Sequence, residues 1–223
     1  MNNILIIGGY GNFGSYITKT LSQDADLKIT IAGRSEYKAK AFVVDYPKVD
    51  YAIMDITKDL DETLSRLSPD IVIHTSGPFQ GQGYDVAMSC INHGCHYIDL
   101  ADARDFVTGI DTLNGLAKDK GVSVISGASS VPVLSSAVID AYKSEFSKLE
   151  DIDYGIATAQ QTNRGLATTA AILSYVGKPF KALIDGKSQD VYGWQNLHYQ
   201  DYPQLGKRLM GNFLSKENSK DSS

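Results

Sequence analysis

The stretch "NNILIIGGYGNFGSYITKTL", residues 2–21, decides the fold of this chain. Four apolar residues at 4–7 predict a buried strand, and apolar residues spaced three and four apart over 13–21 predict a helix. Between them the glycines follow the pattern Gly-x-Gly-x-x-Gly, so side chains are missing where strand and helix meet. The stretch therefore predicts a β-turn-α unit whose turn comes unusually close to another group.

The three spaced glycines each meet one requirement of a dinucleotide-binding turn. Gly9 permits the tight turn, Gly11 leaves room for a pyrophosphate, and Gly14 lets the helix lie close to the strand. The first helical amides and the positive end of the helix dipole would then face the diphosphate. A turn without a ligand is the alternative, which the strand before and the helix after disfavour. We expect cofactor contacts from Gly9, Tyr10, Gly11, Asn12, Phe13 and Gly14.

The same alternation of strand and helix continues to residue 127. The predicted strands are 4–7, 27–33, 49–55, 70–77, 96–102 and 122–127, and the predicted helices are 13–21, 35–42, 57–67, 83–94 and 104–121. The strands are short apolar runs that do not alternate with polar residues, which indicates burial on both faces. Residues 1–127 are therefore predicted to form an α/β domain, a doubly wound parallel sheet of the Rossmann type.

The pattern changes after residue 127. A helix is predicted from Ser130, with Pro132 in its first turn, followed by a strand at 150–161, a helix at 164–177 and a strand at 188–194. Residues 128–214 are predicted to form part of a second α/β domain, of a substrate-binding or dimerisation type. The tail 215–223 is polar throughout and is predicted to be disordered.

The residues after the second predicted strand favour NADP(H). NAD-binding units usually carry Asp or Glu about 20 residues beyond the glycines to bind the ribose. This chain has Arg34 there, 20 residues after Gly14. A guanidinium can bind a 2′-phosphate through two hydrogen bonds, and Ser35 adds a hydroxyl. Arg34 could instead stack on the adenine, and the preference between NADP(H) and NAD(H) would then stay open.

Two further loops follow predicted strands at the edge where this fold binds ligands. Asp55 and Ile56 come after the third strand and could contact the adenine; a carboxylate at a helix N-terminus is the alternative for Asp55. Ser76, Gly77 and Pro78 come after the fourth strand and are expected to pass below the phosphates and the nicotinamide ribose.

Composition limits the classes of function. The 223 residues are 43% apolar and 21% charged, with a net charge of −5, which gives no overall attraction for nucleic acid or anionic lipid. The two cysteines, Cys90 and Cys95, make no disulfide framework. No apolar run reaches the length of a membrane span. We therefore expect a soluble, cytoplasmic protein with a small-molecule substrate.

The motifs together resemble a known family. "ILIIGGYGNFG", "AGRS", "SGPFQGQG", "HYIDLADARDFV" and "ISGASSVP" are similar to segments of the saccharopine dehydrogenase-like NADP-binding oxidoreductases. The resemblance spans about residues 3–195. It implies a Rossmann domain followed by a substrate domain with a mixed sheet, and oxidoreduction with NADP(H), often on an amine or imine. It also implies a longer chain, so we expect the second domain to be shortened here.

The candidates for proton transfer lie in "YIDLAD", at the end of the fifth predicted strand. Tyr97 and Asp99 share a face of that strand, and a partly buried carboxylate beside the cofactor could act as an acid or base. Asp99 could equally bind neighbouring amides. Asp102 is predicted to cap the helix that begins near Arg104.

Other chemistries have weaker support. His93, Cys95 and His96 suggest a metal, but Gly94 separates them and no further ligands cluster nearby, so no metal site is expected. The Tyr-x-x-x-Lys pair of short-chain reductases is absent. The sequence thus predicts hydride transfer between NADP(H) and a small amine, imine or carbonyl compound. The alternative is an NADP(H)-binding sensor or scaffold without turnover, and a homodimer is compatible with either.

Overall fold

The structure is a computed structural model that describes residues 2–150, 152, 155–156, 166–184 and 186–212. The chain divides into two units, Met1–Ser129 and Ser130–Ser223. The first unit carries one large sheet, and the described strands of the second form two small hairpins. No helix in the described ranges is long and apolar enough to cross a membrane.

The first unit is a doubly wound α/β sheet, so the predicted fold class is confirmed. All six strands are parallel and lie in the order β3-β2-β1-β4-β5-β6. The strands are β1 (Asn2–Ile7), β2 (Leu27–Gly33), β3 (Val49–Ile53), β4 (Ile71–His74), β5 (His96–Asp99) and β6 (Val124–Ile125). The helices are α1 (Asn12–Leu21), α2 (Glu36–Val44), α3 (Leu60–Leu67), α4 (Asp85–Asn92), α5 (Arg104–Gly109) and α6 (Asn114–Lys120).

The core explains why the strands lack alternation. Leu5, Ile6 and Ile7 of the central strand β1 are completely or almost completely buried, although successive side chains point to opposite faces. Leu5 and Ile7 pack into one apolar cluster and Ile6 into another. The strand order reverses between β1 and β4, which is where doubly wound sheets open a crevice for ligands.

The predicted helix 104–121 is wrong in its middle. It is two helices, α5 and α6, joined by a 3-10 turn at Ile110–Leu113. The Tyr84 hydroxyl donates a 2.8 Å hydrogen bond to the carbonyl of Phe106, which a continuing helix would offer to the amide of Ile110. Gly109 follows, a weak helix former, so the break combines a long-range contact with a local weakness.

Two helix starts were also predicted too early. α3 begins at Leu60 rather than at Thr57, whose side chain binds Asp55 instead. In the second unit, α7 is Ser135–Tyr142 and not a helix from Ser130. Val131 is extended (φ −132°, ψ 124°), as expected for a residue before proline, so the chain cannot enter a regular helix there.

The remaining described elements of the second unit are a helix and four strands. α8 is Leu166–Ser174, β7 is Pro179–Ile184 and β8 is Lys187–Tyr192, and these two strands pair antiparallel. The weakly patterned segment after Trp194 forms a second antiparallel hairpin of β9 (His198–Tyr202) and β10 (Gly206–Met210). The predicted strand 150–161 lies mostly, and the tail 215–223 entirely, outside the described residues.

Candidate dinucleotide site

The turn between β1 and α1 is packed too closely to admit side chains. A Cβ on Gly14 would lie 2.8 Å from both Gly8 C and Gly9 Cα, and a Cβ on Gly11 would lie 2.9 Å from Gly8 O. A Cβ on Gly9 would meet the Ile31 side chain of β2 at 2.7 Å. The glycine spacing therefore brings α1 directly against the end of β1.

Gly8 is a member of this turn that the sequence pattern did not single out. Its φ of +81° is in the left-handed region, and a Cβ there would lie 2.7 Å from the hydroxyls of Ser76 and Thr75. The loop after β4 therefore lies directly against the glycine turn. The doubled glycine at 8–9 is the signal from which this contact could have been suspected.

The start of α1 is open to a negatively charged group. Its N-cap is Gly11, whose lack of a side chain leaves no cap hydrogen bond, and its first turn holds no acidic residue. Asn12 and Phe13 are exposed there, with Phe13 52% accessible. The first amides of an uncapped helix lack intrahelical acceptors and lie at the positive end of the dipole. This arrangement can bind a phosphate.

The turn after β2 places an exposed cation beside a helix start. Arg34 is exposed and has no ion-pair partner within the described part of the chain. Ser35 is the N-cap of α2, and its hydroxyl accepts a 3.3 Å hydrogen bond from the amide of Lys38. The Ser35 amide in turn donates to the hydroxyl of Tyr10 at 2.9 Å. Tyr10 thus joins the glycine turn to the Arg34 turn.

Asp55 and Ile56 lie after β3, near Arg34 but with their side chains engaged elsewhere. The Asp55 carboxylate accepts hydrogen bonds from the Thr57 amide (3.0 Å) and hydroxyl (2.8 Å). These bonds lower the pKa of Asp55 below its usual range, with a smaller contribution from the charge of Arg34. Ile56 packs against the larger apolar cluster. Asp55 therefore holds the turn before α3 and not the helix start, since α3 begins only at Leu60; its contact with the adenine stays a prediction.

The loop 76–78 after β4 is held by one side chain. Gln82 donates from Nε2 to the carbonyls of Ser76 (2.8 Å) and Pro78 (3.0 Å). The amide of Gly77 donates to the carbonyl of Thr75 at 3.2 Å. The loop is therefore a fixed turn against the crevice at the switch point between β1 and β4.

A buried polar network lies at the ends of β4 and β5. Nδ1 of His74 is 3.1 Å from the hydroxyl of Tyr97, and His74 pairs in register with Asp99 on the neighbouring strand. All three residues are at most 1% exposed. Burial lowers the pKa of His74 to about 4, so the imidazole is neutral, and burial followed by the charge of Asp99 raises the pKa of Tyr97.

Asp99 also binds the loop after β6. Its Oδ1 accepts hydrogen bonds from the amides of Ala101 and Gly127 and the hydroxyl of Ser126, all at 2.9 Å. Within the described residues, Asp99 Oδ2 and His74 Nε2 are buried without a hydrogen-bond partner. Of the two readings that the sequence left open for Asp99, binding to neighbouring amides is the one seen here.

Asp102 does not cap the following helix, so that prediction is wrong. The N-cap of α5 is Ala103, whose side chain cannot accept a hydrogen bond from the helix start. Asp102 is exposed and instead accepts a 3.4 Å hydrogen bond from Gln80, and desolvation of its carboxyl by neighbouring groups raises the pKa. Among the described residues, no group of three or more His, Cys, Asp or Glu could hold a metal ion.

A comparison with protein families gives one match. The model described as the saccharopine dehydrogenase NADP binding domain matches residues 4–125, more than half of the 223 residues. The family resemblance predicted from the motifs is confirmed, and so is NADP(H) as the cofactor of the domain; NAD(H) remains compatible with it. No curated protein matches the sequence.

Comparison with solved structures supports the same fold. The chain is similar to the apo form of saccharopine dehydrogenase (L-Glu forming) from Saccharomyces cerevisiae, with TM-score 0.63 and 19% identity. The match covers 91% of this chain and 48% of that one, so the chain spans about half the length of the yeast enzyme. A weaker similarity joins it to a short-chain dehydrogenase/reductase from Veillonella parvula in complex with NADP (TM-score 0.39, 18% identity, 48% and 50% coverage).

Proposed function

This chain belongs to the family of the saccharopine dehydrogenase NADP binding domain, and from that premise we propose that it is an oxidoreductase that uses NADP(H). One observation supports the cofactor assignment above the others. The uncapped start of α1 lies beside a turn that a Cβ on Gly9, Gly11 or Gly14 would disrupt. The backbone amides there are therefore open to a diphosphate. The residues present therefore fit a dinucleotide.

The individual cofactor contacts are part of this proposal. The turn Gly9–Gly14 binds the diphosphate, Arg34 and Ser35 bind the 2′-phosphate, and Asp55 and Ile56 border the adenine. Ser76, Gly77 and Pro78 border the nicotinamide ribose. Arg34 is exposed without an ion-pair partner in the described ranges, which supports its role, because it is free to bind an anion.

A hydride passes between NADP(H) and the substrate, which is a small imine, amine or carbonyl compound. We assign proton transfer to the network of Tyr97 and Asp99, with His74 joined to it. Its support is its place at the carboxyl ends of β4 and β5 and its two buried, unpartnered polar atoms. Residues 1–127 would hold the cofactor and 128–214 the substrate, in a cytoplasmic protein that can form a homodimer.

One observation favours the second candidate, an NADP(H)-binding sensor or scaffold without turnover. Tyr97 and Asp99 are 1% and 0% exposed, so neither presents a group to a substrate in this structure. Proton transfer through Oδ1 of Asp99 would require its hydrogen bonds from Ser126 and Gly127 to break.

Two measurements on the full chain test the proposal. Calorimetric titration with NADPH and NADH should show saturable binding, tighter for NADPH. Absorbance of NADPH should then fall when a panel of keto acids and aldehydes is added, alone or together with an amine, and should rise when NADP⁺ is given an amine. Binding without turnover across the panel would favour the sensor, and folded protein that binds neither nucleotide would refute both candidates.

A further inference from the structure

Tyr10 occupies a position between the two ends of the proposed cofactor site. It follows Gly9 in the glycine turn, and its ring packs against the smaller apolar cluster. The ring also lies across Gly33, the last residue of β2, where an added Cβ would be 2.7 Å from Tyr10 Cζ and 3.0 Å from Cε1. Gly33 therefore leaves room for the Tyr10 ring, which is fixed beside the residue that precedes Arg34.

The Tyr10 hydroxyl uses its acceptor function in the structure and keeps its donor function for another group. Its oxygen accepts from the Ser35 amide at 2.9 Å. A phenol is both acceptor and donor, and within the described residues the Tyr10 hydroxyl acts only as an acceptor, so its own proton remains available. Because an N–H donor polarises the phenol, its O–H becomes a stronger donor.

The surroundings of that proton favour an anionic acceptor. Arg34 lies immediately before Ser35, is exposed and has no ion-pair partner in the described part of the chain. The start of α2 adds the positive end of a nine-residue helix, and the carboxylate in its first turn, Glu36, is paired with Lys40 at 2.8 Å. The Ser35 amide, the backbone donor of this turn, is already bound to Tyr10. Tyr10 therefore presents its O–H to a ligand in place of that amide.

We propose that Tyr10 is a specificity-determining residue that donates its phenolic proton to the 2′-phosphate of NADP(H), beside the Arg34 guanidinium. This inference rests on the proposed NADP(H) site and deepens it. Tyr10 also couples the two halves of that site, because it belongs to the diphosphate turn while its hydroxyl holds the 2′-phosphate turn.

The test uses nucleotide fragments that differ only in the 2′-phosphate. Binding of 2′,5′-ADP and of 5′-AMP to the full chain is measured by calorimetry for wild type, Tyr10→Phe and Arg34→Ala, and for the double variant. Tyr16→Phe is the matched control, because this exposed tyrosine lies in α1 and faces away from the core. Tyr10→Phe should weaken 2′,5′-ADP about tenfold, the loss of one charge-assisted hydrogen bond, and leave 5′-AMP unchanged.

Each result has a defined reading. An equal loss for both fragments would overturn the inference and leave Tyr10 a structural residue, and no loss for either would overturn it as well. Coupling between Tyr10 and Arg34 should appear only with the 2′-phosphate present, since adjacent groups that bind one ligand are not additive. If wild-type protein binds NADPH but the Tyr10 result fails, the proposed function stands; if it binds no nucleotide, the proposed function fails first.

Discussion

The hydroxyl of Thr18 lies 3.0 Å from the carbonyl oxygen of Gly9 and 2.8 Å from that of Gly14. Thr18 is completely buried in α1. Its proton is shared by a carbonyl in the glycine turn and one in the helix, so this side chain fixes the turn onto the helix that follows. Thr18 supports the proposed phosphate site from behind and does not face the phosphate.

Replacing Thr18 by Val should destabilise the first unit and loosen the turn. Val keeps the shape but removes the donor, which leaves the Gly9 carbonyl buried without this partner, at a cost of about 1–3 kcal/mol. Thr18→Ser restores the hydroxyl and should recover most of the loss. Urea unfolding of the three proteins measures the effect, and equal midpoints for wild type and Thr18→Val would contradict it.

Substitutions at Gly11 and Gly14 should separate binding from folding. A Cβ on Gly14 would meet backbone atoms of both Gly8 and Gly9, so Gly14→Ala should cost about 1–3 kcal/mol of unfolding free energy. A Cβ on Gly11 meets only the Gly8 carbonyl, so Gly11→Ala should lose NADPH binding at least tenfold with a smaller stability change. These are measured by calorimetry and urea unfolding.

Gly115 provides the matched control for both. It lies in α6, and an added Cβ meets nothing within 4 Å. Gly115→Ala should therefore bind NADPH as wild type does and gain about 0.5–1 kcal/mol, because Ala loses less backbone freedom in a helix. A Gly14→Ala protein as stable as wild type would show that the turn can shift at little cost.

The elements set by local pattern were predictable from sequence, and those set by distant contacts were not. The apolar run, the glycine spacing and the amphipathic helix at 2–21 are neighbours in the chain, so β1, its turn and α1 follow from them. The break after Gly109 depends on Tyr84, a residue of another segment that no local pattern reports. The extended conformation of Val131 follows from the proline after it, so this boundary is predictable from the sequence.

The residues of the candidate site also fall into those that local spacing predicts and those that depend on distant contacts. The glycines, Arg34 and Ser35 could be placed by their spacing from β1, because the fold fixes where the second strand ends. Thr18 was missed because a threonine in a helix carries no signal of its own, and the place of His74 at the end of an apolar strand is compatible with either the core or the cofactor. Their importance comes from the partners that folding brings to them, Gly9 and Tyr97.

Arg34→Ala should lower affinity for NADPH far more than for NADH. In the proposed site the guanidinium makes a charge-assisted contact only with the 2′-phosphate, so its removal should cost about 1–3 kcal/mol for NADPH. Lys38→Ala is a suitable control, since Lys38 is an exposed cation one helical turn further along α2. Calorimetric titrations with both nucleotides measure the effect. Equal losses of affinity for NADPH and NADH would show that Arg34 does not bind the 2′-phosphate.

Asp99→Ala should be among the most destabilising substitutions in the first unit. It would leave the amides of Ala101 and Gly127 and the Ser126 hydroxyl without their shared acceptor. Unpaired buried donors cost about 1–3 kcal/mol each before relaxation. Ser126→Ala removes the hydroxyl donor itself and leaves no donor unpaired, so this substitution should destabilise the protein much less. Hydrogen exchange at the Gly127 amide should rise sharply in Asp99→Ala and little in Ser126→Ala.

Stability of the first unit should fall as the pH drops from about 6.5 to about 4, through His74. Its pKa is about 4 in the folded protein and near 6.5 when unfolded, so the unfolded chain binds more protons in this window. The difference between the two pKa values corresponds to about 3 kcal/mol of unfolding free energy. This stabilisation is present above pH 6.5 and is lost as the pH falls to about 4. His74→Gln cannot titrate and should show a flatter dependence when urea unfolding is followed across this pH range. NMR titration of the His74 ring in the native protein provides a direct check, and a midpoint near 6.5, or unfolding curves that run parallel for the two proteins, would contradict the expected linkage.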